Sequence, residues 1–86
     1  MPYFVYILKS RKNGKYYVGS SKNVELRLFQ HNAGYSKSTK NGVPWELKLA
    51  EEYESLAEAM NREAEIKKMK SRKWIEELLE RRSANK

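Results

Sequence analysis

The chain has 86 residues, of which 40% are hydrophobic and 12% aromatic, a composition that supports one small folded core and not a disordered basic tail. It contains no cysteine, which excludes disulfides, thiolate zinc sites and thiol nucleophiles. The net charge of +7 comes entirely from residues 1–45, where eight Lys and Arg are opposed by one acid, Glu25. Such a concentrated positive field favours a polyanionic partner, most commonly a nucleic-acid backbone.

No apolar run approaches the roughly 18 residues that a membrane-spanning helix needs, so we expect no membrane contact. The apolar stretch near the first residue is too short and too aromatic for a signal peptide. We therefore expect a cytoplasmic protein.

The first two elements are predicted to form a β-hairpin. Residues 3–10 and 16–20 are apolar and aromatic, as strands are, and Asn13-Gly14 between them is a strong turn signal because both residues tolerate positive φ. A two-residue turn at this dipeptide sets the register of the two strands.

This register decides which side chains share a face of the sheet. With a two-residue turn, Ser10 pairs with Tyr17 and Leu8 pairs with Gly19, which puts Tyr6, Tyr17 and Gly19 on one face. A register shift of two residues preserves that arrangement, whereas a shift of one destroys it.

The rest of the chain predicts, in order, a helix, a polar loop, a strand and two helices, over residues 23–33, 34–44, 45–53, 55–70 and 71 onward. Asn23 is a suitable helix cap, and Ser55 with Glu58 has capping-box spacing. The order β-β-α-β-α-α predicts a small α+β domain over residues 1–80, followed by a charged, flexible tail over residues 81–86.

Glu63 is the first candidate for chemistry. The apolar stripe predicted for its helix consists of Leu56, Ala59, Met60 and Ile66. At about 100° per residue, Glu63 falls in the middle of that stripe. A carboxylate directed at a core needs a cation, several donors or a metal ion. The alternative is a glutamate at the rim of the core, paired with Arg62, Lys67 or the first helix.

Arg27 and His31 form the second candidate. They are four residues apart on the first helix, so their side chains share a face with Val24 and Leu28. Arginine offers a fixed fork to phosphate oxygens, and histidine can relay a proton near neutral pH. The alternative is a solvated arginine beside an ordinary surface histidine.

The hairpin tyrosines are the third candidate. Tyr6 and Tyr17 share a face with Gly19, which leaves a bare patch where a ligand backbone could approach. A phenol, with a reference pKa of about 10, is a poor base unless cations or a metal-bound water favour the phenolate. Ordinary strand packing is the alternative.

Two polar segments could contact phosphates without reading sequence. One is the loop with Lys37, Ser38, Thr39 and Lys40. The other is the basic run of Lys67, Lys68, Lys70, Arg72 and Lys73. Each segment could also be plain solvated surface. One histidine and no cysteine leave carboxylate and water as metal ligands, which favours Mg²⁺ or Mn²⁺.

These groups together resemble the GIY-YIG nuclease superfamily. The signature is carried by Val5-Tyr6-Ile7, Tyr17-Val18-Gly19, Arg27, His31 and Glu63, with Ser38-Thr39-Lys40 and Pro44-Trp45 between them. The chain is most similar to the small standalone branch related to the UvrC excision-repair nuclease. It departs from the pattern at Val5, which replaces a glycine, and at Ser20, where some members carry lysine.

The resemblance implies a three-stranded antiparallel sheet flanked by helices and one divalent ion held by Glu63. Tyr6 is then the general base and Tyr17 orients the attacking water. Arg27 stabilises charge on the phosphorus, and His31 assists Tyr6 or the scissile phosphate.

We accordingly predict a metal-dependent endonuclease with weak sequence specificity, acting on DNA in preference to RNA, in DNA repair or processing. Its predicted nucleic-acid contacts are Gly19, Ser20, Lys22, Arg27, Lys37, Ser38, Thr39, Lys40 and Lys67. It is expected to be a monomer or weak dimer, with other repair proteins as possible partners. The alternatives are a non-catalytic nucleic-acid-binding module and an RNA- or ribosome-associated basic protein.

Overall fold

The computed structural model describes residues 2–84. Its fold is built around a sheet with one central strand. The three strands are β1 (Tyr3–Ser10), β2 (Tyr16–Ser21) and β3 (Trp45–Tyr53), and they form an antiparallel sheet in the order β2-β1-β3. The helices are α1 (Val24–Asn32), α2 (Leu56–Met69) and α3 (Arg72–Ala84), with a 3₁₀ turn, Lys40–Gly42, before β3. The predicted α+β fold and its element order are confirmed.

The register of the β1–β2 hairpin differs from the prediction by two residues. Leu8 pairs with Tyr17 and Tyr6 pairs with Gly19. The two-residue turn predicted from Asn13-Gly14 was therefore wrong. Because the shift is even, Tyr6, Tyr17 and Gly19 still lie on one face of the sheet, as predicted.

The side chain of Ser10 explains the longer turn. Its hydroxyl accepts hydrogen bonds from the backbone N–H groups of Lys12 and Asn13, each at 3.1 Å. Gly14, with a φ of 74°, completes the turn and donates its N–H to the Ser10 carbonyl at 3.0 Å. Residues 11–14 thus form the loop.

Local caps define where the helices begin. The Asn23 side chain accepts a hydrogen bond from the Leu26 N–H at 3.0 Å, which begins α1 as predicted. The Ser55 hydroxyl accepts from the Glu58 N–H at 3.2 Å and donates to the Glu58 carboxylate at 3.0 Å. The predicted capping signal for α2 is therefore confirmed.

The sheet separates two clusters of buried side chains. The face covered by α2 and α3 buries Val5, Ile7, Val18, Ala59, Ile66 and Leu78. The opposite face, covered by α1 and the loop before β3, buries Tyr6, Leu8 and Trp45. β2 forms one edge of the sheet, where Ser20 faces the side covered by α2 and Gly19 faces the side covered by α1.

The end of α3 lies further along the chain than predicted. The helix continues through Ala84, so residues 81–84 of the predicted tail are helical, and residues 85 and 86 lie outside the described residues. None of the helices within residues 2–84 is long and apolar enough to cross a membrane.

Candidate active site

A chain of buried hydrogen bonds joins β1, α1 and the loop before β3. The Tyr6 hydroxyl lies 3.1 Å from Nε2 of His31, and Nδ1 of His31 lies 2.8 Å from the Thr39 hydroxyl. Each of these residues is only 1% exposed. Because the Thr39 hydroxyl donates to the Ser36 carbonyl at 3.5 Å, we assign the imidazole proton to Nδ1. In this tautomer Nε2 accepts the hydrogen bond from Tyr6.

Gly19 makes room for the Tyr6 hydroxyl. A Cβ at position 19 would lie 2.6 Å from the Tyr6 hydroxyl oxygen, 2.8 Å from its Cζ and 3.1 Å from Cε2 of Tyr17. The sequence predicted a bare patch at Gly19 for a ligand. That prediction was wrong, because the phenol of Tyr6 occupies the space beside Gly19. The missing side chain of Gly19 is what lets the Tyr6 hydroxyl lie there.

Tyr17 lies beside this chain on the same face. Its ring centroid is 4.8 Å from that of His31 and 6.3 Å from that of Tyr6. The predicted gathering of the two hairpin tyrosines is therefore present, and His31 completes the cluster.

The i,i+4 spacing on α1 places Arg27 and His31 on the face turned toward the sheet. The half-buried side chains Val24 and Leu28 pack against the Tyr6 cluster and anchor that face. His31 is buried, so it is not the ordinary surface histidine of the alternative interpretation. The Arg27 guanidinium donates from Nη1 to Oε1 of Gln30 at 2.7 Å and remains half-buried.

The environment shifts two pKa values in this cluster. Burial raises the pKa of Tyr6 above 10.0, although the nearby Arg27 guanidinium opposes that rise. Burial, and then the charge of Arg27, lower the pKa of His31 below 6.5. At neutral pH the site therefore holds a protonated phenol that donates to a neutral imidazole.

Glu63 lies at the edge of the buried face of α2, not in its middle. Ala59 and Ile66 are the buried residues of this helix, whereas Leu56 and Met60 are 45% and 55% exposed. The predicted stripe was therefore wrong at these two positions. Being seven apart, Ala59 and Ile66 define a narrow face, and Glu63 flanks it on the side of β2.

The Glu63 carboxylate bridges α2 and the edge strand. Its Oε1 accepts from the Ser20 hydroxyl at 2.7 Å, and its Oε2 accepts from Nζ of Lys67 at 2.6 Å. Its side chain is 21% exposed. The ion pair with Lys67 that the sequence left open is thus formed. The charge of Glu63 also reaches Tyr6, where it adds to the rise in pKa that burial chiefly causes.

Glu63 offers a divalent ion a single carboxylate. Within residues 2–84, no three His, Asp or Glu side chains cluster as a multidentate metal site. Mg²⁺, however, is commonly bound through one carboxylate, substrate phosphates and retained waters. A single half-buried carboxylate beside the edge strand fits that mode, provided that Lys67 releases Oε2.

The loop before β3 is packed more tightly than its polar sequence predicted. Nε1 of Trp45 donates to the Thr39 carbonyl at 2.7 Å, and the Ser10 hydroxyl donates to the Gly42 carbonyl at 2.5 Å. Thr39 was predicted to contact phosphate. In the structure it is buried and holds His31 instead, and the sequence carried no sign of which loop hydroxyl would turn inward.

Other predicted nucleic-acid contacts lie at the surface. Lys37, Ser38 and Lys40 are exposed on the loop, and Lys22 is exposed just after β2, with its ammonium 5.4 Å from the centroid of the Tyr3 ring. These side chains are free of ion pairs within the described part of the chain. Their contact with nucleic acid stays a prediction.

Comparisons with known proteins agree with this architecture. The chain matches the GIY-YIG catalytic domain over residues 2–76. A UPF0213 protein of Staphylococcus haemolyticus is 43% identical over 79 residues, which cover 87% of this chain and 95% of that protein. A UPF0213 protein of Staphylococcus aureus (strain N315) is 40% identical over 80 residues, covering 92% and 96%. The solution NMR structure of a UPF0213 protein from Bacillus halodurans is 33% identical, with a TM-score of 0.59, and the match covers 93% of this chain and 84% of that one. The chain therefore belongs to the GIY-YIG nuclease family and is similar to the UPF0213 proteins.

Proposed function

We propose that this protein is a metal-dependent endonuclease that hydrolyses nucleic-acid phosphodiester bonds, with DNA preferred to RNA and weak sequence specificity. It would act in the cytoplasm as a monomer or weak dimer, in DNA repair or processing. The observation that carries the proposal is the buried chain from Tyr6 through His31 to Thr39, which has the half-buried Arg27 beside it. A buried phenol donating to a neutral imidazole is a ready-made route for a proton.

Proton transfer follows from the shifted pKa values. As water attacks phosphorus, the Tyr6 oxygen accepts the proton of the water while its own proton moves to Nε2 of His31. Because burial raises the pKa of Tyr6, the two transfers occur together and no free phenolate forms. The new P–O bond replaces the bond to the leaving oxygen, which takes a proton from solvent, and the imidazolium of His31 then releases its extra proton to solvent. Thr39 holds Nδ1 so that Nε2 stays aligned.

The second requirement of the mechanism is to stabilise the charge that develops on the phosphorus. The planar guanidinium of Arg27 can donate two parallel hydrogen bonds to phosphate oxygens, and it lies near the Tyr6 hydroxyl that activates the water. Tyr17, packed beside His31, would orient the water.

Glu63 would hold Mg²⁺ or Mn²⁺, and a bound ion would neutralise charge on the phosphate oxygens. Its Oε2 now accepts from Lys67, so an incoming phosphate would draw the Lys67 ammonium away and free that oxygen. Ser20 keeps the carboxylate fixed through Oε1 during this exchange.

Incubation with single-stranded, duplex and branched DNA and with RNA, in Mg²⁺, Mn²⁺ or EDTA, tests the proposal. The wild type should cut DNA only with metal. Tyr6→Phe should lower the rate by about 10²–10⁴-fold, because the proton acceptor is lost. Tyr35→Phe removes a hydroxyl from a tyrosine that is 72% exposed and is the matched control, with an unchanged rate. Full activity of Tyr6→Phe would reject the mechanism.

Binding without turnover is a second candidate, favoured by one observation. Both oxygens of the Glu63 carboxylate already have partners, Ser20 and Lys67, at 2.7 and 2.6 Å. This function predicts salt-sensitive binding of nucleic acid and no cleavage with either metal, even in Lys67→Ala, where Oε2 is released.

A further inference from the structure

A cleft of 430 Å³ lies between β2 and the junction of α2 and α3. This volume is within the range of about 300–1,000 Å³ that is usual for small-ligand sites. Its floor is apolar and consists mainly of Val18, Ile66 and Ile75, with Tyr16 at one side. Tyr17 also lines it, so the cleft adjoins the candidate active site along the edge strand.

The rim of the cleft is cationic. Lys15, Lys67, Lys70 and Arg72 line it, and no acidic side chain does. Lys15 and Lys70 have no ion pair within residues 2–84, whereas Lys67 pairs with Glu63 and Arg72 pairs with Glu76. An apolar floor under a rim of cationic groups suits a ligand with a flat apolar part and an anionic part.

Lys70 adds an independent observation. It is the C-cap of α2 and adopts the left-handed conformation, with φ 46° and ψ 34°. Glycine is the residue that this conformation favours, because a Cβ crowds the backbone there. The lysine side chain is therefore present at some cost to local stability, and it lines the rim of the cleft.

We propose that this cleft binds an unpaired nucleotide of the substrate strand, with its base on Val18, Ile66 and Ile75 and its phosphate on Lys67 and Lys70. The inference rests on the proposed function and narrows its substrate to single-stranded, frayed or branched nucleic acid. A base within a duplex is covered by its neighbours and cannot reach the floor unless it leaves the stack. A phosphate on Lys67 would also compete with Glu63 for that ammonium.

Methyl NMR in EDTA, where metal-dependent cleavage is prevented, locates the site directly. The titrants are an unlabelled single-stranded oligothymidylate, a blunt duplex and free thymidine monophosphate. The single strand should shift the methyl signals of Val18, Ile66 and Ile75, while the duplex leaves them in place. Ile7, buried in the same core but not lining the cleft, is the internal control and should not shift.

Two variants test the cationic rim by fluorescence anisotropy over a salt series. Lys70→Gly should bind a labelled single strand about tenfold more weakly, with a salt slope shallower by about 0.7. It should melt at the same temperature as the wild type or higher, because glycine suits the left-handed cap. Lys68→Ala removes the same charge from an exposed position outside the cleft and should change affinity by about twofold or less.

The outcomes separate this site from the proposed function. Methyl shifts in a protein that never cuts DNA in Mg²⁺ or Mn²⁺ support the nucleotide site and reject hydrolysis. Cleavage without shifts of Val18, Ile66 and Ile75, or equal affinities of Lys70→Gly and Lys68→Ala, rejects the cleft. Equal occupancy by the free mononucleotide and the strand would overturn the assignment to a substrate strand.

Discussion

Gly19→Ala is the substitution that probes the geometry of the site most finely. The new Cβ would lie 2.6 Å from the Tyr6 hydroxyl and 3.1 Å from the ring of Tyr17. Both backbones are fixed, because Tyr6 and Gly19 are paired across the β1–β2 ladder. The phenol must therefore move, and its 3.1 Å hydrogen bond to His31 is the contact that it loses first.

The expected cost follows from two contributions. Overpacking a tight interior costs about 1–3 kcal/mol, and losing a buried hydrogen bond costs about 1 kcal/mol. The free energy of unfolding should therefore fall by about 2–4 kcal/mol, which for a domain of this size lowers Tm by roughly 10–30 °C. Cleavage should fall by about 10²-fold, because the proton acceptor is displaced by about 1 Å.

Urea unfolding and single-turnover cleavage measure these two effects. In a double-mutant cycle, Tyr6→Phe removes the hydroxyl that the new Cβ meets, so Gly19→Ala should destabilise that variant less than the wild type. Gly34→Ala is the matched control: φ there is 81°, so alanine is strained, but no atom lies within 4 Å. It should lose stability and keep its cleavage rate. Wild-type cleavage by Gly19→Ala, with no coupling to Tyr6, would contradict the geometric account.

Three further predictions concern buried polar groups. Burial alone would raise the pKa of Glu51, but the hydrogen bonds and charge of Arg62, together with Tyr53 and Arg82, more than offset it and hold the pKa below 4.5. The unfolded state therefore binds more protons, so the free energy of unfolding of the wild type should fall as pH falls below 4.5. Arg62→Met should lower the free energy of unfolding by about 3 kcal/mol at pH 7. In urea titrations this variant should no longer lose stability at acid pH. Thr39→Val leaves the Nδ1–H of His31 buried without an acceptor and should lower unfolding free energy by about 1–3 kcal/mol, with a fall in cleavage rate and little change in DNA affinity. Burial and then Arg27 lower the pKa of His31, so cleavage should persist below pH 6.5. Arg27→Gln should move the acid limb of the pH–rate profile toward 6.5. An acid limb that does not move would contradict the role of Arg27.

The fold was predictable where the determining contacts are local in sequence. Asn23 and Ser55 begin α1 and α2 through hydrogen bonds to backbone groups three residues away, and such spacing is visible in the chain itself. The hairpin register was not, because it depends on the Ser10 hydroxyl accepting two backbone hydrogen bonds. Nothing in the sequence separates that serine from other turn residues.

The sequence predicted which residues belong to the site better than it predicted how they contact one another. Helical spacing placed His31 beside Arg27, and strand alternation placed Tyr6 beside Tyr17. The inward turn of Thr39 depends on how the loop packs on Trp45, which residue spacing cannot reveal.

Contacts between elements that are distant in the sequence could not be predicted either. The Ser20–Glu63 hydrogen bond joins residues 43 positions apart, and it depends on how α2 lies against the edge strand. The same packing leaves Leu56 and Met60 exposed, so the apolar stripe read from periodicity was broader than the face that is buried.

The rate of Mg²⁺-dependent cleavage in Glu63→Gln tests most directly whether this site is catalytic. Single-turnover cutting of a labelled DNA strand should fall by about 10²–10³-fold relative to the wild type. Glu65→Gln, on the same helix but with a side chain 61% exposed and paired with Arg62, should keep the wild-type rate. A wild-type rate in Glu63→Gln, or no cutting by the folded wild type in Mg²⁺ or Mn²⁺, would contradict the assignment of a hydrolytic site.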